Sequence, residues 1–440
     1  MSTARTIALE TLERIHKDGA YSHIALSTAL DRSDLDRRDR GLVTELVYGT
    51  LARQRTLDAV LKKFVSRKLD DVEVPILITL RLAAYQVIFL DRIPDHAVVH
   101  ESVEMVKERR GRGAAGFTNG VLRALLRKER YWKIWEEVDP AKNQVRHLGL
   151  RHSLPDWMAC RLIKRVGFER AMDHGESFNL RPPLYFRAVD ALPDPLPGGL
   201  IEVEEVPGCL RCDDGMNDEI DSAVQNSTLI VQDLGSQLIG HYCAPGDHKK
   251  ILDPCAGLGG KTLHLAKLSP EAQVVASDPM QSKLDRLEQT LSESPMAERI
   301  EIRSSKIWKL PASYSDFDLI LVDAPCTGLG VIRRHPETRW RRSVADIKKL
   351  AKKQSKILNE AAMRVKKGGT LVYSVCTFTP EEGPEQIEDF LKKHSNFERL
   401  GPPESSDIDW SRYTDDNGDL SLNPADHDAD AFYAARLKKT

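Results

Sequence analysis

Along the first 130 positions, apolar residues recur at helical spacing. In "ARTIALETLERIH" they fall at 4, 7, 8, 12 and 15, which places them on one face of a helix. The runs "DRRDRGLVTELVYGTLARQRTLDAVLKKF", "VPILITLRLAAYQVIFL", "DHAVVHESVEMVKER" and "GFTNGVLRALLRK" follow, divided by Asp, Pro and Gly breaks. Five or more such helices with short connections predict an all-helical bundle over residues 1–140, with "YWKIWEEVDPAKN" as a connecting stretch. Residues 145–228 are mixed. A helix near "LPDWMACRLIKRVG" precedes strand-like "RPPLYFRAV" and "IEVEEVPG", and the segment reads as a small α+β insert.

From 229 to 440 the rhythm changes again. The apolar runs "KKILDPCAG", "AQVVASD", "RIEIRS", "DFDLILVDAP" and "GTLVYSVCT" alternate with amphipathic stretches near 261–268, 281–293 and 345–366. That alternation predicts a Rossmann-like, doubly wound parallel sheet, giving a multidomain α and α/β protein.

Charge and cysteine usage narrow the function classes. The net charge of −2 hides a block at 331–367 with 13 basic against 3 acidic residues, and residues 1–130 carry 23 against 18. Such blocks are either solvated helix faces or phosphate-contacting surfaces. No uncharged apolar run is long enough to span a bilayer. The charged N-terminus lacks a secretory h-region, so a cytoplasmic protein with no membrane partner is expected. Seven scattered cysteines predict reduced thiols rather than a disulfide framework. "CLRC" at 209–212 is a lone C-x-x-C without a second ligand pair, so no metal is expected.

Chemistry concentrates at the strand ends. In "DPCAGLGGKT" the glycines 257, 259 and 260 follow a strand and open a helix, a turn that lets backbone approach a ligand. The spacing is neither G-x-G-x-x-G nor that of a P-loop. The next strand ends in Asp278, 21 residues after Gly257, where an acid grips a ribose diol. An adenosyl ligand without phosphates fits this pattern better than a dinucleotide or ATP. Two further strands end in "DAPC" and "YSVC", placing Asp323, Cys326 and Cys376 at the edge where ligands bind. A thiolate is what carbon-5 methylation of a pyrimidine requires. Addition at carbon 6 turns carbon 5 into a nucleophile, and a base then removes the carbon-5 proton as the thiolate leaves. A carboxylic acid such as Asp323, oriented by Lys261, suits the charge that addition creates at nitrogen 3.

At "DPCAGLGGKT", "DAPCTGLGVIRRHP" and "YSVCTFTPEE" the sequence closely resembles the Sun/RsmB family of RNA cytosine-5 methyltransferases. "DRRDRGLVTELVYGTL" and "AAGFTNGVLRALLR" are similar to the RNA-binding helical domain of the antitermination factor NusB. "RPPLYFRAV", "VQDLGSQLI" and "HDADAFYAARLKK" also look like family landmarks. The resemblance implies S-adenosylmethionine as co-substrate and small-subunit (16S) ribosomal RNA as partner, bound in part by the 145–228 insert, with no obligate protein partner. It implies Cys376 as nucleophile and Cys326 as the residue assisting release, with Asp323 and Lys261 completing the catalytic set. Cys255, Ala256, Gly257, Leu258, Gly259, Gly260 and Lys261 would line the cofactor, with Asp278 on its ribose, Ser304 near its adenine and Asp323 at its junction with the base. Arg333 and Arg334 flank the "DAPCTGLG" loop and are expected to face the RNA. Four positions depart from the family pattern: Ser304 stands where an acid is usual, Leu258 for Pro, Val375 for Thr and Gly383 for Asn. The missing acid at Ser304 keeps open a catalytically silent RNA-binding assembly or antitermination factor. A dinucleotide oxidoreductase is disfavoured by the loop spacing.

Overall fold

Helix Val74–Phe89 is buried from Pro75 to Val87 except at Arg81, as its all-round apolar sequence requires. Arg81 is held by both oxygens of Asp58, at 2.7 and 2.9 Å. The computed structural model describes residues 3–440 apart from 245, 293, 295, 405 and 406. It divides into two units: the chain up to Leu180 with Ile332–Arg342, and Arg181–Val331 with Ser343–Thr440. Among the described residues no helix is long and apolar enough to cross a membrane.

The first unit packs helices Ala4–Asp18, Arg37–Ala52, Gln54–Leu61 and Asp95–Leu126 against Val74–Phe89. Local chemistry sets their ends. Asp36 accepts from the Asp39 amide at 2.8 Å, and Gly19, at φ +64°, closes the first helix. Asp95–Leu126 breaks at Gly111, whose φ of +81° separates the two helices expected there. The boundary expected near residue 145 falls instead at Leu180. Helices Gln144–Arg151, Asp156–Val166 and Phe168–Ser177 belong to the helical unit. They are tied in by the Thr56 hydroxyl on Leu150 O (2.6 Å) and the Arg55 amide on Ser153 Oγ (2.9 Å).

Residues 332–342 complete this unit from far along the chain. The Arg339 guanidinium is fully buried and donates to Ala52 O (3.1 Å), His152 O (3.3 Å), Phe178 O (2.6 Å) and Asn179 Oδ1 (2.9 Å). Trp340 donates to Leu51 O and Arg341 to Ile15 O, at 2.7 and 2.9 Å. These donors satisfy carbonyls at helix ends that have no partner within their own helices.

Arg333 and Arg334, expected beside the substrate channel, lie in this segment of the first unit. Arg333 is buried and Arg334 half-buried. The Arg333 side chain, expected to face the RNA, is thus enclosed by protein in this structure.

The second unit holds two sheets. A small antiparallel sheet comprises β1 (Leu184–Ala188), β2 (Leu200–Glu202), β3 (Cys209–Cys212) and β4 (Leu229–Val231), in the order β2-β3-β1-β4. "CLRC" is thus a strand. Cys209 packs into the main core and Cys212 into a separate apolar cluster.

The large sheet contains β5 (Lys250–Asp253), β6 (Gln273–Ser277), β7 (Ile300–Arg303), β8 (Phe317–Asp323), β9 (Val365–Val375), β10 (Phe397–Leu400), β11 (Leu420–Ser421) and β12 (Tyr433–Lys439). Its order is β10-β12-β9-β8-β5-β6-β7, with β11 paired to β12. Strands β5 to β9 pair in parallel as expected, but β12 pairs antiparallel with β9 and β10 antiparallel with β12, so the sheet is mixed. The order reverses between β5 and β8, which opens a crevice at their carboxyl ends.

Candidate active site

At those carboxyl ends lies a cavity of about 960 Å³. Its floor begins at Asp253, the fully buried last residue of β5, which accepts from the Cys255 amide (3.1 Å) and the Thr262 hydroxyl (2.7 Å). Burial pushes its carboxyl up to about 7, with Asp323 adding to the shift. The glycine loop then turns into helix Gly260–Leu268. Asp278, just past β6, accepts the Gly257 amide on one oxygen (3.2 Å) and the Met280 amide on the other (2.8 Å). Each oxygen retains acceptor capacity for a diol.

Most of the expected cofactor residues line the cavity: Cys255, Ala256, Gly257, Leu258, Gly260, Lys261, Asp278 and Asp323. Gly259 does not; a Cβ there would come within 2.2 Å of Leu287, so this glycine serves helix packing. Ser304 is exposed and also outside the lining, which Lys306, Ile307 and Trp308 supply further along the same loop. Leu258 and Met280 stand 56% and 52% exposed on the cavity wall, open apolar surface that a flat adenine ring would cover. An adenosyl co-substrate therefore fits these residues.

The other end of the cavity carries the reactive groups. Lys261 Nζ lies 2.8 Å from Asp323 Oδ2, and the Ser374 hydroxyl donates to Asp323 Oδ1 at 2.9 Å. Burial works against the Lys261 charge, but the adjacent Asp323 outweighs it and raises the ammonium's pKa. Cys326 Sγ and Cys376 Sγ are 3.2 Å apart. The contact with Cys376, reinforced by burial and the nearby charge of Glu382, pushes the Cys326 thiol well up. Cys255 is also driven up, by burial and by the carboxylates Asp253, Asp323 and Asp278. A protonated thiol of that kind lines the site without reacting.

The two thiol loops are laced together by backbone. The Ala324 amide donates to Ser374 O (2.9 Å) and the Gly330 amide to Cys376 O (3.0 Å). Any side chain at position 330 would strike Ala431 O, with a Cβ only 2.0 Å away.

All four expected catalytic residues, Cys376, Cys326, Asp323 and Lys261, thus meet in one cavity. Ser374, Met280, Trp308 and Lys353 were not singled out by sequence. Ser374 and Met280 adjoin motifs already recognised, which was the available signal, and the alternation of β9 turns Ser374 toward Asp323.

Residues 241–438 match the family model described as 16S rRNA methyltransferase RsmB/F, and residues 2–127 match the NusB family. A probable ribosomal RNA small subunit methyltransferase B of Bacillus subtilis (strain 168) is 33% identical over 460 residues, covering 100% of this chain and 99% of its own. The ribosomal RNA small subunit methyltransferase B of Escherichia coli O6:K15:H31 (strain 536 / UPEC) is 31% identical, covering 99% and 98%. The crystal structure of PH0851 shares the fold, with TM-score 0.80, 24% identity and coverage of 98% and 97%.

Proposed function

This chain belongs to the RsmB/F family of 16S rRNA methyltransferases, and from that premise we propose that it methylates carbon 5 of a cytosine in small-subunit ribosomal RNA through a bond from Cys376. The observation that carries this reading is the pair of thiols 3.2 Å apart beside the Lys261–Asp323 ion pair. S-adenosylmethionine, held by Asp278 and the loop from Cys255 to Lys261, supplies an electrophilic methyl group.

Cys376 adds to carbon 6 as a thiolate, which makes carbon 5 nucleophilic. The Lys261–Asp323 pair keeps a proton on Nζ where nitrogen 3 of the base gains negative charge. After methyl transfer the carbon-5 proton leaves to a base, the sulfur–carbon-6 bond breaks, and the ring double bond reforms. Cys326 assists this last step. Its raised thiol pKa fits a residue that acts as a thiol rather than as an attacking thiolate.

The test uses labelled S-adenosylmethionine and small-subunit RNA. Wild-type protein should incorporate label at cytosine carbon 5. Cys326→Ala should accumulate a protein–RNA adduct that survives denaturing electrophoresis. Accumulation in Cys376→Ala instead would exchange the two roles. The position of Ser304 off the cavity favours a second reading, an RNA-binding factor without activity. That reading predicts no incorporation from any RNA.

A further inference from the structure

Glu382 takes no part in the chemistry above, yet its environment is built around the two thiols. Its side chain is fully buried, in the turn between β9 and helix Pro384–Lys393. One oxygen accepts from the Thr327 amide (2.8 Å) and Gln354 Nε2 (3.0 Å). The other accepts from the Thr327 hydroxyl (2.5 Å) and the Thr379 hydroxyl (2.8 Å). The Thr377 hydroxyl adds a longer contact to that second oxygen (3.4 Å), so the acceptor sites of the carboxylate are filled.

No lysine or arginine pairs with Glu382 among the described residues. A buried charge without a countercharge is costly, and neutral donors alone must compensate it. What a carboxylate does here that an apolar side chain cannot is to accept from several segments at once. Those segments flank the thiols. Thr327 follows Cys326, Thr379 lies three residues past Cys376, and Gln354 also donates to Pro325 O at 3.1 Å, immediately before Cys326.

We propose that Glu382 is a positioning residue whose carboxylate fixes the spacing of the Cys326 and Cys376 sulfurs by clamping both of their loops to helix Val344–Arg364. This rests on the two-thiol reading of the site, but the spacing is measurable without RNA. Diamide accepts two electrons and two protons across its N=N bond as two neighbouring thiols become a disulfide, so the rate of Cys326–Cys376 pairing reports their proximity. Peptide mass mapping identifies which thiols have joined.

Glu382→Gln keeps the shape but replaces one accepting oxygen by an NH2, which faces either the Thr327 amide and Gln354 donors or threonine hydroxyls that must turn to accept it. Its pairing rate should fall at least tenfold and kcat for methylation at least a hundredfold, with KM for S-adenosylmethionine within twofold of wild type. Unchanged pairing in Glu382→Gln overturns the proposal, whatever happens to methylation. If that variant fails to bind S-adenosylmethionine, Thr379→Val, which removes one donor, should slow pairing about threefold, and no slowing there overturns the proposal equally. Slowed pairing in a protein that never forms an RNA adduct would uphold the clamp while refuting the covalent mechanism.

Discussion

Arg339 in the first unit and Glu382 in the second face the same physical problem. Each is a fully buried charged side chain whose hydrogen-bond partners are all neutral. Arg339 gathers carbonyls from helix ends, Glu382 gathers donors from reactive loops. In both cases one side chain joins segments remote in sequence. The difference lies in what is held. Loosening the helix ends costs stability, whereas loosening the thiol loops costs rate. Burial of a charge therefore does not by itself distinguish scaffold from active site; the neighbours decide.

The widest separation between the two regions should come from Cys376→Ala. Methyl transfer should fall by about a thousandfold or more, because a covalent step is lost outright. Thermal unfolding should stay close to wild type, and a large drop in Tm would show that the thiol also supports the fold.

Arg339→Met should do the reverse. Several buried carbonyls lose donors at about 1–3 kcal/mol each, so after relaxation guanidinium unfolding should show roughly 3–5 kcal/mol of destabilisation. S-adenosylmethionine affinity should be unchanged. A weakened affinity would mean that the segment also shapes the cofactor site.

A third buried group, Asp253, sharpens the contrast because burial works against its charge. Burial pushes its carboxyl up to about 7 in the folded protein, against 3.8 as the ordinary value. The folded state thus binds this proton more tightly than the unfolded chain. Asp253 should lower stability as pH rises from about 4 to about 7, by about 4 kcal/mol, and contribute no further slope above that. Unfolding midpoints across this range should fall in the wild type and flatten in Asp253→Asn. An opposite slope difference would show the folded group to be ionised.

The smallest effect concerns exposed charge. Lys353 is exposed on the cavity wall, so Lys353→Ala should reduce the slope of log RNA affinity against log salt by about 0.7–0.9 for one lost phosphate contact. Arg333→Ala should leave that slope unchanged, since the side chain is buried. Equal changes in both would return Arg333 to the RNA surface.

Much of this was legible in the sequence, for definable reasons. Continuous apolar runs located β5 to β9, most of whose residues are buried on both faces of the sheet, and period-3.6 patterns located the helices between them. Helix Val344–Arg364 begins one residue before the expected 345. Motif spacing brought Lys261, Asp278, Asp323, Cys326 and Cys376 together, because strand ends in a doubly wound sheet converge on one edge. What escaped depends on long-range pairing. The antiparallel entry of β12 beside β9 has no local signature, and neither does Glu382, which reads as an ordinary turn acid. The burial of Arg333 within the basic block at 331–367 escaped for a related reason. Composition counts a guanidinium without showing whether solvent or the protein interior surrounds it.

The contribution of residues 332–342 to the first unit has a consequence for synthesis. Translation reaches Leu180 long before Ile332, with residues 181–331 made in between. The helices ending at Ala52 and Ser177 can form early, but Arg339 and Trp340 are not yet there to meet Ala52 O, Phe178 O and Leu51 O. Water must serve those carbonyls until most of the second unit has also been translated. The first unit is therefore finished late although it begins first. A fragment ending at residue 180 stays at that unfinished stage, and no single cut in the gene separates the two units whole.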